Sequence, residues 1–417
     1  MHRILVEEKR WIDEPRFLHA LNYCMLLPGP EAQQLATYIG WLLHGTRGGL
    51  VAGTLFVLPG FIAIMALSFV YVLFGAHPVV SGIFLGLKTA VIALIVQALI
   101  RIGGRALKTK GARVLALLAF AALIAGVPFP LVILVAGAAG YFWTKTGHKD
   151  FRTNGMPHAG IHDAPGSATH ARVQPSAARA FKLLAIWLPL WFAPIVIAAL
   201  VAGEQSVFTQ LGVFFSKMAV VTFGGAYAVL AYVAQQAVER YSWVTPTQML
   251  DGLGLAESTP GPLILTVQFV GFLAAYHAAG GAHPLLAGVL GAVLTVWVTF
   301  VPCFLWIFLG APYIERLRAN IALSGALSAI TAAVVGVIAN LALWFTLHAL
   351  FSTLRSIEIV AGHQIAIPLP ESLRLVPALL TALALALTFV LRQGLARTLT
   401  ICAAAGVAAT ALGFAGY

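Results

Sequence analysis

Apolar runs about 20 residues long, the length a helix needs to cross a hydrocarbon layer of roughly 30 Å, recur along the whole of this chain, separated by short breaks. They lie near residues 23–45, 49–75, 78–102, 112–127, 128–143, 181–203, 207–237, 252–279, 283–310, 321–351, 373–391 and 396–416, which makes twelve candidate spans. The runs are continuous and lack the period-2 alternation of a membrane β-barrel, so helices follow. Of 417 residues, 60% are hydrophobic and 9% charged, whereas soluble domains carry about 25% charged residues. The bilayer is the solvent, and the fold class expected is an all-α integral membrane protein of about twelve transmembrane or half-membrane helices.

The formal net charge of +11 does not point to nucleic acid, because the basic residues sit in short connections between apolar runs, where cytoplasmic loops gather them. Cys24, Cys303 and Cys402 lie in or beside apolar segments without C-x-x-C spacing, so they read as buried thiols and not as a disulfide framework or zinc site. The opening stretch MHRILVEEKRWIDEPRF is charged and lacks the apolar centre of a cleavable signal.

An internal repeat organises the chain. Trp11 is followed 17 positions later by Pro28-Gly29-Pro30, and Trp243 is followed 17 positions later by Pro260-Gly261-Pro262, an offset of 232. Leu58-Pro59 resembles Val301-Pro302, and Lys88-Thr89-Ala90-Val91 aligns with Ile330-Thr331-Ala332-Ala333, at offsets of 243 and 242. The expected organisation is a first repeat over 1–143, a flexible cytoplasmic linker over 144–180 and a second repeat over 181–417. The linker is rich in Gly, Pro, Ser, Thr and His and cannot offset its ordering entropy; its His148, His158, His162 and His170 match no standard metal-ligand spacing. Basic loops at Arg101–Arg113 and in the linker are expected on the cytoplasmic side, and counting spans outward from them sets the two repeats upside down to each other, a transporter architecture.

Each Pro-Gly-Pro stands where a continuous helix is disfavoured, since proline removes a backbone donor and glycine admits unusual dihedrals. Pro30-Glu31-Ala32-Gln33-Gln34 and the segment from Pro262 read as new helices with proline in the first turn, whose free N–H groups and dipole suit a tetrahedral anion. Two such breaks, with Ser258 and Thr259 beside the second, could cradle one oxyanion; the plain alternative is a pair of proline kinks. Phe223-Gly224-Gly225 interrupts another span and reads either as close helix packing or as a further opening. Lys88 lies mid-span, where a charge must be paired or line a polar path, and suits an anion path; Lys217 is similar but could snorkel. Glu257, just before the second break, is a proton-coupling candidate with a backbone cap or salt bridge as its alternative. Glu31 is the other candidate, unless it only complements the helix dipole.

The segments LLPGPEAQQLATYIGWLLHGTRGGLVAGTLFVLPG, FGGAYAVLAYV and ESTPGPLILTVQFVGF resemble the long-chain chromate transporters over nearly the whole chain outside the linker. The resemblance implies a secondary transporter exporting chromate across the bacterial inner membrane, driven by the proton gradient as in an antiporter, with sulfate as the similar competitor. The partners implied are chromate or a sulfate-like oxyanion, protons and membrane lipid, with a homo-oligomer left open, and neither cofactor nor nucleic acid. Members carry an F-G-G-P-type motif upstream of the segment equivalent to Met1-His2-Arg3, so the first repeat is expected to lack its opening helix here. A passive anion channel or a truncated, non-transporting protein is the alternative. No H-E-x-x-H, G-x-S-x-G, cofactor or P-loop motif favours an enzyme or an ATP-driven pump.

Overall fold

A computed structural model describes residues 1–147, 151, 176–223, 225–281, 283–313, 320–360 and 363–414. The helices are α1 (Glu14–Cys24), α2 (Glu31–Phe74), α3 (Pro78–Ala106), α4 (Lys110–Ile124), α5 (Phe129–Lys145), α6 (Ala177–Ala202) and α7 (Val207–Val221). They continue as α8 (Ala226–Gln235), α9 (Pro246–Ser258), α10 (Thr266–His277), α11 (Pro284–Gly310), α12 (Ile321–Leu350), α13 (Leu375–Leu385) and α14 (Leu395–Ala411). Of these, α2, α3, α6, α11 and α12 are long and apolar enough to cross a bilayer. Leu200 and Val201 on α6 are 81% and 83% exposed, as outward faces of helices are when lipid is their solvent.

Three expected spans are broken. The run at 23–45 is cut at 25–30 by the first Pro-Gly-Pro, that at 207–237 after Val221, and that at 252–279 after Ser258. His44 and Gly45 interrupt α2 with non-helical dihedrals, and Gly45 has φ 64°, near the division expected between the first two spans. One further element was not foreseen. Strands β1 (Leu354–Val360) and β2 (His363–Pro368) pair antiparallel between α12 and α13, and their alternation, Leu-Arg-Ser-Ile-Glu-Ile-Val and His-Gln-Ile-Ala-Ile-Pro, is the strand signal that a search for apolar runs passes over. The linker histidines His148, His158, His162 and His170 lie outside the described residues.

Two stretches of backbone 232 residues apart share local detail. A wide π turn over Arg3–Glu8 leads to Arg10 at φ 49°, and one over Gln236–Arg240 leads to Ser242 at φ 50°. Trp11 N–H then donates to Leu5 O at 2.9 Å and Trp243 N–H to Ala237 O at 2.8 Å. Helix α1 starts at Asp13, whose carboxylate accepts from Arg16 N–H at 3.2 Å. Its counterpart α9 starts at Thr245, whose hydroxyl accepts from Gln248 N–H at 3.2 Å while the Gln248 side chain accepts from Thr245 N–H at 2.9 Å. Such caps satisfy first-turn donors that would otherwise be orphaned.

Packing divides the described chain into two compact units, one of 1–59, 137–225 and 294–330, the other of 60–136, 226–293 and 331–417. Each is held by helices that approach through small residues. In the first unit, a Cβ added at Gly140 would stand 2.6 Å from Gly325 O and one at Gly325 would stand 3.1 Å from Gly140 O. In the second, α3 and α14 meet at Gly82, Gly86, Cys402 and Gly406. A Cβ on Gly86 would collide with Cys402 O, so Gly86→Leu should destabilise the protein by about 1–3 kcal/mol, the usual magnitude of overpacking. Gly104, which faces open space, supplies the control: Gly104→Ala should leave the unfolding midpoint in detergent unchanged or raised. Equal midpoints for the two variants would contradict the packing described.

Candidate substrate site

In the first unit the chain leaves α1 at Cys24, turns through 25–30 and re-enters a helix at Glu31. Gly29 takes φ 118°, a region that glycine occupies without a Cβ penalty, and its N–H donates to Thr222 O at 2.9 Å just past the end of α7. The Gln34 amide Nε2 donates to Pro28 O at 2.6 Å. The Gly29 N–H and Pro28 C=O groups of the break thus both have protein partners. A Cβ on Gly29 would stand 2.8 Å from Cys303 Sγ and 2.9 Å from Gln34 Nε2. Gln33 and Gln34 are fully buried; Gln33 Nε2 donates to Thr37 Oγ1 at 3.2 Å, and the Oε1 atom of each glutamine has no hydrogen-bond partner. The first intrahelical bond of α2 runs from Gln34 N–H to Pro30 O at 3.1 Å, so the N–H groups of Glu31, Ala32 and Gln33 precede it and point toward the break.

Of the glycine motif after α7, Phe223 and Gly225 are described, Gly225 with φ 101°, and Gly224 lies outside the described residues. Lys217 is exposed on α7 beside an apolar groove of about 390 Å³ lined by Trp191, Ile195, Val213 and Ser216 among others. The structure therefore gives Lys217 surroundings different from those of the Pro28–Pro30 break.

In the second unit α9 ends at Ser258, residues 259–261 bend, and a 3-10 turn over Leu263–Leu265 leads into α10. Gly261 takes φ 150°, and a Cβ added to it would stand 3.1 Å from Gly60 Cα. Ser258 and Thr259 turn their hydroxyls back onto Leu255 O and Ala256 O at 2.9 and 3.2 Å. Ser258, Pro260 and Gly261 are exposed, and Pro262 is partly so, which makes this break the more open of the two. Glu257 Oε1 accepts a hydrogen bond from the Tyr227 hydroxyl on α8, so Glu257 has a side-chain donor as its partner.

The offsets of the repeat make a cross-pairing apparent. Pro302-Cys303 in α11 corresponds to Pro59-Gly60 in α2. In the first unit the break of the first repeat packs on Cys303 of the second, and in the second unit the break of the second repeat packs on Gly60 of the first. Each break packs against a residue of the other repeat.

Lys88 was expected to stand in an anion path, and the structure supplies it with a counter-ion. Its Nζ lies 3.8 Å from Asp251 Oδ1, while the Tyr71 hydroxyl donates to Asp251 Oδ2 at 3.0 Å. Asp251 sits on α9, which crosses α3 closely at Gly254, where a Cβ would stand 3.0 Å from Leu87 Cβ. The lysine side chain keeps 19% exposure and the aspartate 5%, so the ammonium is the more open end of the pair. Sequence reasoning missed Asp251, Tyr71 and Tyr227. Asp251 stands one residue before the apolar run at 252–279 and so was counted outside it, although helical continuation from Thr245 would have carried it inside.

Helices interrupted at matching positions of two repeats, with apolar outer faces and a buried ion pair, define a multi-pass helical membrane protein. The profile of the chromate transporter family matches residues 1–141 and 209–410, and the chain belongs to that family. It is 34% identical over 343 residues to a chromate transport protein of Pseudomonas aeruginosa, covering 81% of this chain and 73% of that one. It is 28% identical over 340 residues to a chromate transport protein of Cupriavidus metallidurans, covering 81% and 74%. A probable chromate transport protein of Synechococcus elongatus is 28% identical over 387 residues, covering 91% and 87%. No solved structure matches the chain.

Gly29 combines a positive φ with a filled surrounding, so Gly29→Ala should sharply lower the amount of folded protein in the membrane. Adding Cys303→Gly should restore part of it by removing the 2.8 Å contact while the backbone strain persists. Quantitative membrane immunoblots check this; a single variant as abundant as wild type would show that the break does not need glycine.

Proposed function

We propose that this chain transports chromate, with sulfate as a similar competitor, out of the cytoplasm across a bacterial inner membrane and coupled to proton movement. The observation that carries the reading is the alignment of both repeats with proteins named for chromate transport over most of their length. The chemistry of the breaks agrees with it. Helix N-termini bind tetrahedral anions through unpaired N–H groups and the dipole, and Pro28, Gly29, Pro30 and Gln33 border one such end, Ser258, Thr259, Pro260, Gly261 and Pro262 the other. Phe223, Gly224 and Gly225 follow Thr222, whose carbonyl accepts from Gly29 N–H, and are taken as further substrate-lining residues; Lys88 and Lys217 supply positive charge, and Glu257 and Glu31 are carboxyls able to carry protons. The repeats are inverted in this reading, with the linker over 144–180 cytoplasmic, and reporters fused after Lys110 and after His363 should then report opposite sides of the membrane.

Labelled chromate supplied to everted vesicles should enter them at a rate that changes when a proton gradient is imposed, and excess sulfate should slow it. Chromate entry no faster than in vesicles without the protein would overturn the reading; entry indifferent to the gradient would remove proton coupling from it. Lys88→Met should reduce this flux at least several-fold at equal membrane abundance, since a neutral side chain of similar length cannot attract the anion. Wild-type flux would make Lys88 structural.

A further inference from the structure

The reading above leaves Asp251 without a part, and its geometry gives it one. Taking two ions out of water is unfavourable unless their contact is close and their remaining hydrogen-bonding capacity is filled. Here the contact is 3.8 Å, longer than a charge-assisted hydrogen bond, and Asp251 Oδ1 has no hydrogen-bond partner at all. Oδ2 is held by Tyr71 at 3.0 Å, and the Tyr71 ring is fixed by edge contacts with Phe84 and Phe269, centroids 4.9 and 5.0 Å away. Asp251 is therefore positioned through one oxygen and left open at the other, the one that faces the lysine.

The groups that bear on Asp251 from the surrounding elements are few. Helix α3 contributes Lys88 and α2 contributes Tyr71. Helix α10 contributes the Phe269 ring, while its His277 turns to Trp243 O at 3.5 Å. On α9 itself, Glu257 is engaged with Tyr227. Among the described residues Lys88 has Asp251 as its one ion-pair partner, and whatever neutralises Asp251 leaves the ammonium, the more exposed partner, without it.

From this geometry, and resting on the transport reading above, we infer that Asp251 is a further proton-coupling residue, beside Glu257 and Glu31, and that it makes proton and oxyanion bind together at Lys88. With Asp251 ionised, Lys88 is neutralised and the carboxylate repels an incoming anion. A proton added from water to Oδ1 converts the carboxylate to a neutral acid, and the freed ammonium takes the oxyanion as its partner in place of Asp251. The step is a proton transfer and an exchange of ion partners, with no bond to the anion made or broken. Linkage makes the effect reciprocal: binding the anion draws a proton onto Asp251 as strongly as the proton draws the anion. A carrier loaded in this way moves the two in the same direction, and a divalent anion with one proton leaves the cytoplasm as net negative charge, driven by a membrane potential negative inside. Exchange of proton for anion, the antiport expected from the resemblance, would require the opposite linkage.

The sign is measurable on the purified full chain in weakly buffered detergent, with a pH indicator and chromate added at an alkaline pH where chromate is already a dianion. Wild type should take up about one proton per anion bound, as reciprocal linkage requires. Asp251→Asn, a neutral isostere, should bind chromate by equilibrium dialysis with no proton uptake, and Lys88→Gln should lose most of the binding. Proton release, or no proton change, on binding by wild type would overturn the inference and leave the transport reading standing, as would undiminished uptake in Asp251→Asn. Absence of chromate binding by wild type would instead remove the reading on which the inference rests. Where Asp251→Asn does not fold, Asp251→Glu, which keeps an ionisable group, should bind with uptake retained, and its release of a proton would overturn the inference.

Discussion

Backbone that leaves a helix inside a bilayer has no water to turn to, and that constraint governs this molecule. Each Pro-Gly-Pro interruption exposes peptide groups whose isolation in hydrocarbon would be unfavourable by several kcal/mol apiece. At the first break the chain answers with fixed protein partners, Thr222 O for Gly29 N–H and Gln34 Nε2 for Pro28 O; at the second, Gly261 packs closely on Gly60. Cys303 and Gly60 occupy matching positions of the two repeats, and each break packs against the repeat to which it does not belong. The first break thus draws on its own Gln34 as well as on Thr222 and Cys303 of the other repeat.

The same constraint explains why the charged groups are so few and so specifically partnered. Lys88, Asp251 and Tyr71 come from α3, α9 and α2, and Glu257 and Tyr227 from α9 and α8. Both carboxyls lie on α9, the helix that runs up to the second break, and this helix is forced against its neighbours by Gly252 on Phe269 and Gly254 on Leu87. Small residues at those crossings fix the backbone that carries Asp251, and the Tyr71 hydroxyl holds one oxygen of its carboxylate.

Much of this was legible in the sequence because it is local. Apolar length marks a membrane helix, Pro-Gly-Pro marks a break, and the shared spacing from Trp11 and Trp243 falls where wide turns and positive-φ residues recur at Arg10 and Ser242. What stayed hidden is pairing across distance. Asp251 finds Lys88 at 163 positions' separation and Tyr71 at 180, and no periodicity encodes that. Lys88 reads from sequence as a charge that must be paired or line a polar path, and its partner stays hidden because Asp251 falls outside the neighbouring apolar run. The β1–β2 hairpin escaped for another reason: alternation of apolar and polar residues is a period-2 signal, and a reading tuned to long apolar runs averages it away.

The central claim is that an oxyanion replaces Asp251 as the partner of Lys88, and locating the bound anion tests it most directly. Chromium gives chromate an anomalous scattering signal that marks its position in crystals of the protein soaked or grown with it. The account predicts a chromium peak within hydrogen-bond reach of the Lys88 ammonium, with the Lys88–Asp251 separation widened beyond the present 3.8 Å. A peak elsewhere, with that ion pair intact, would contradict it.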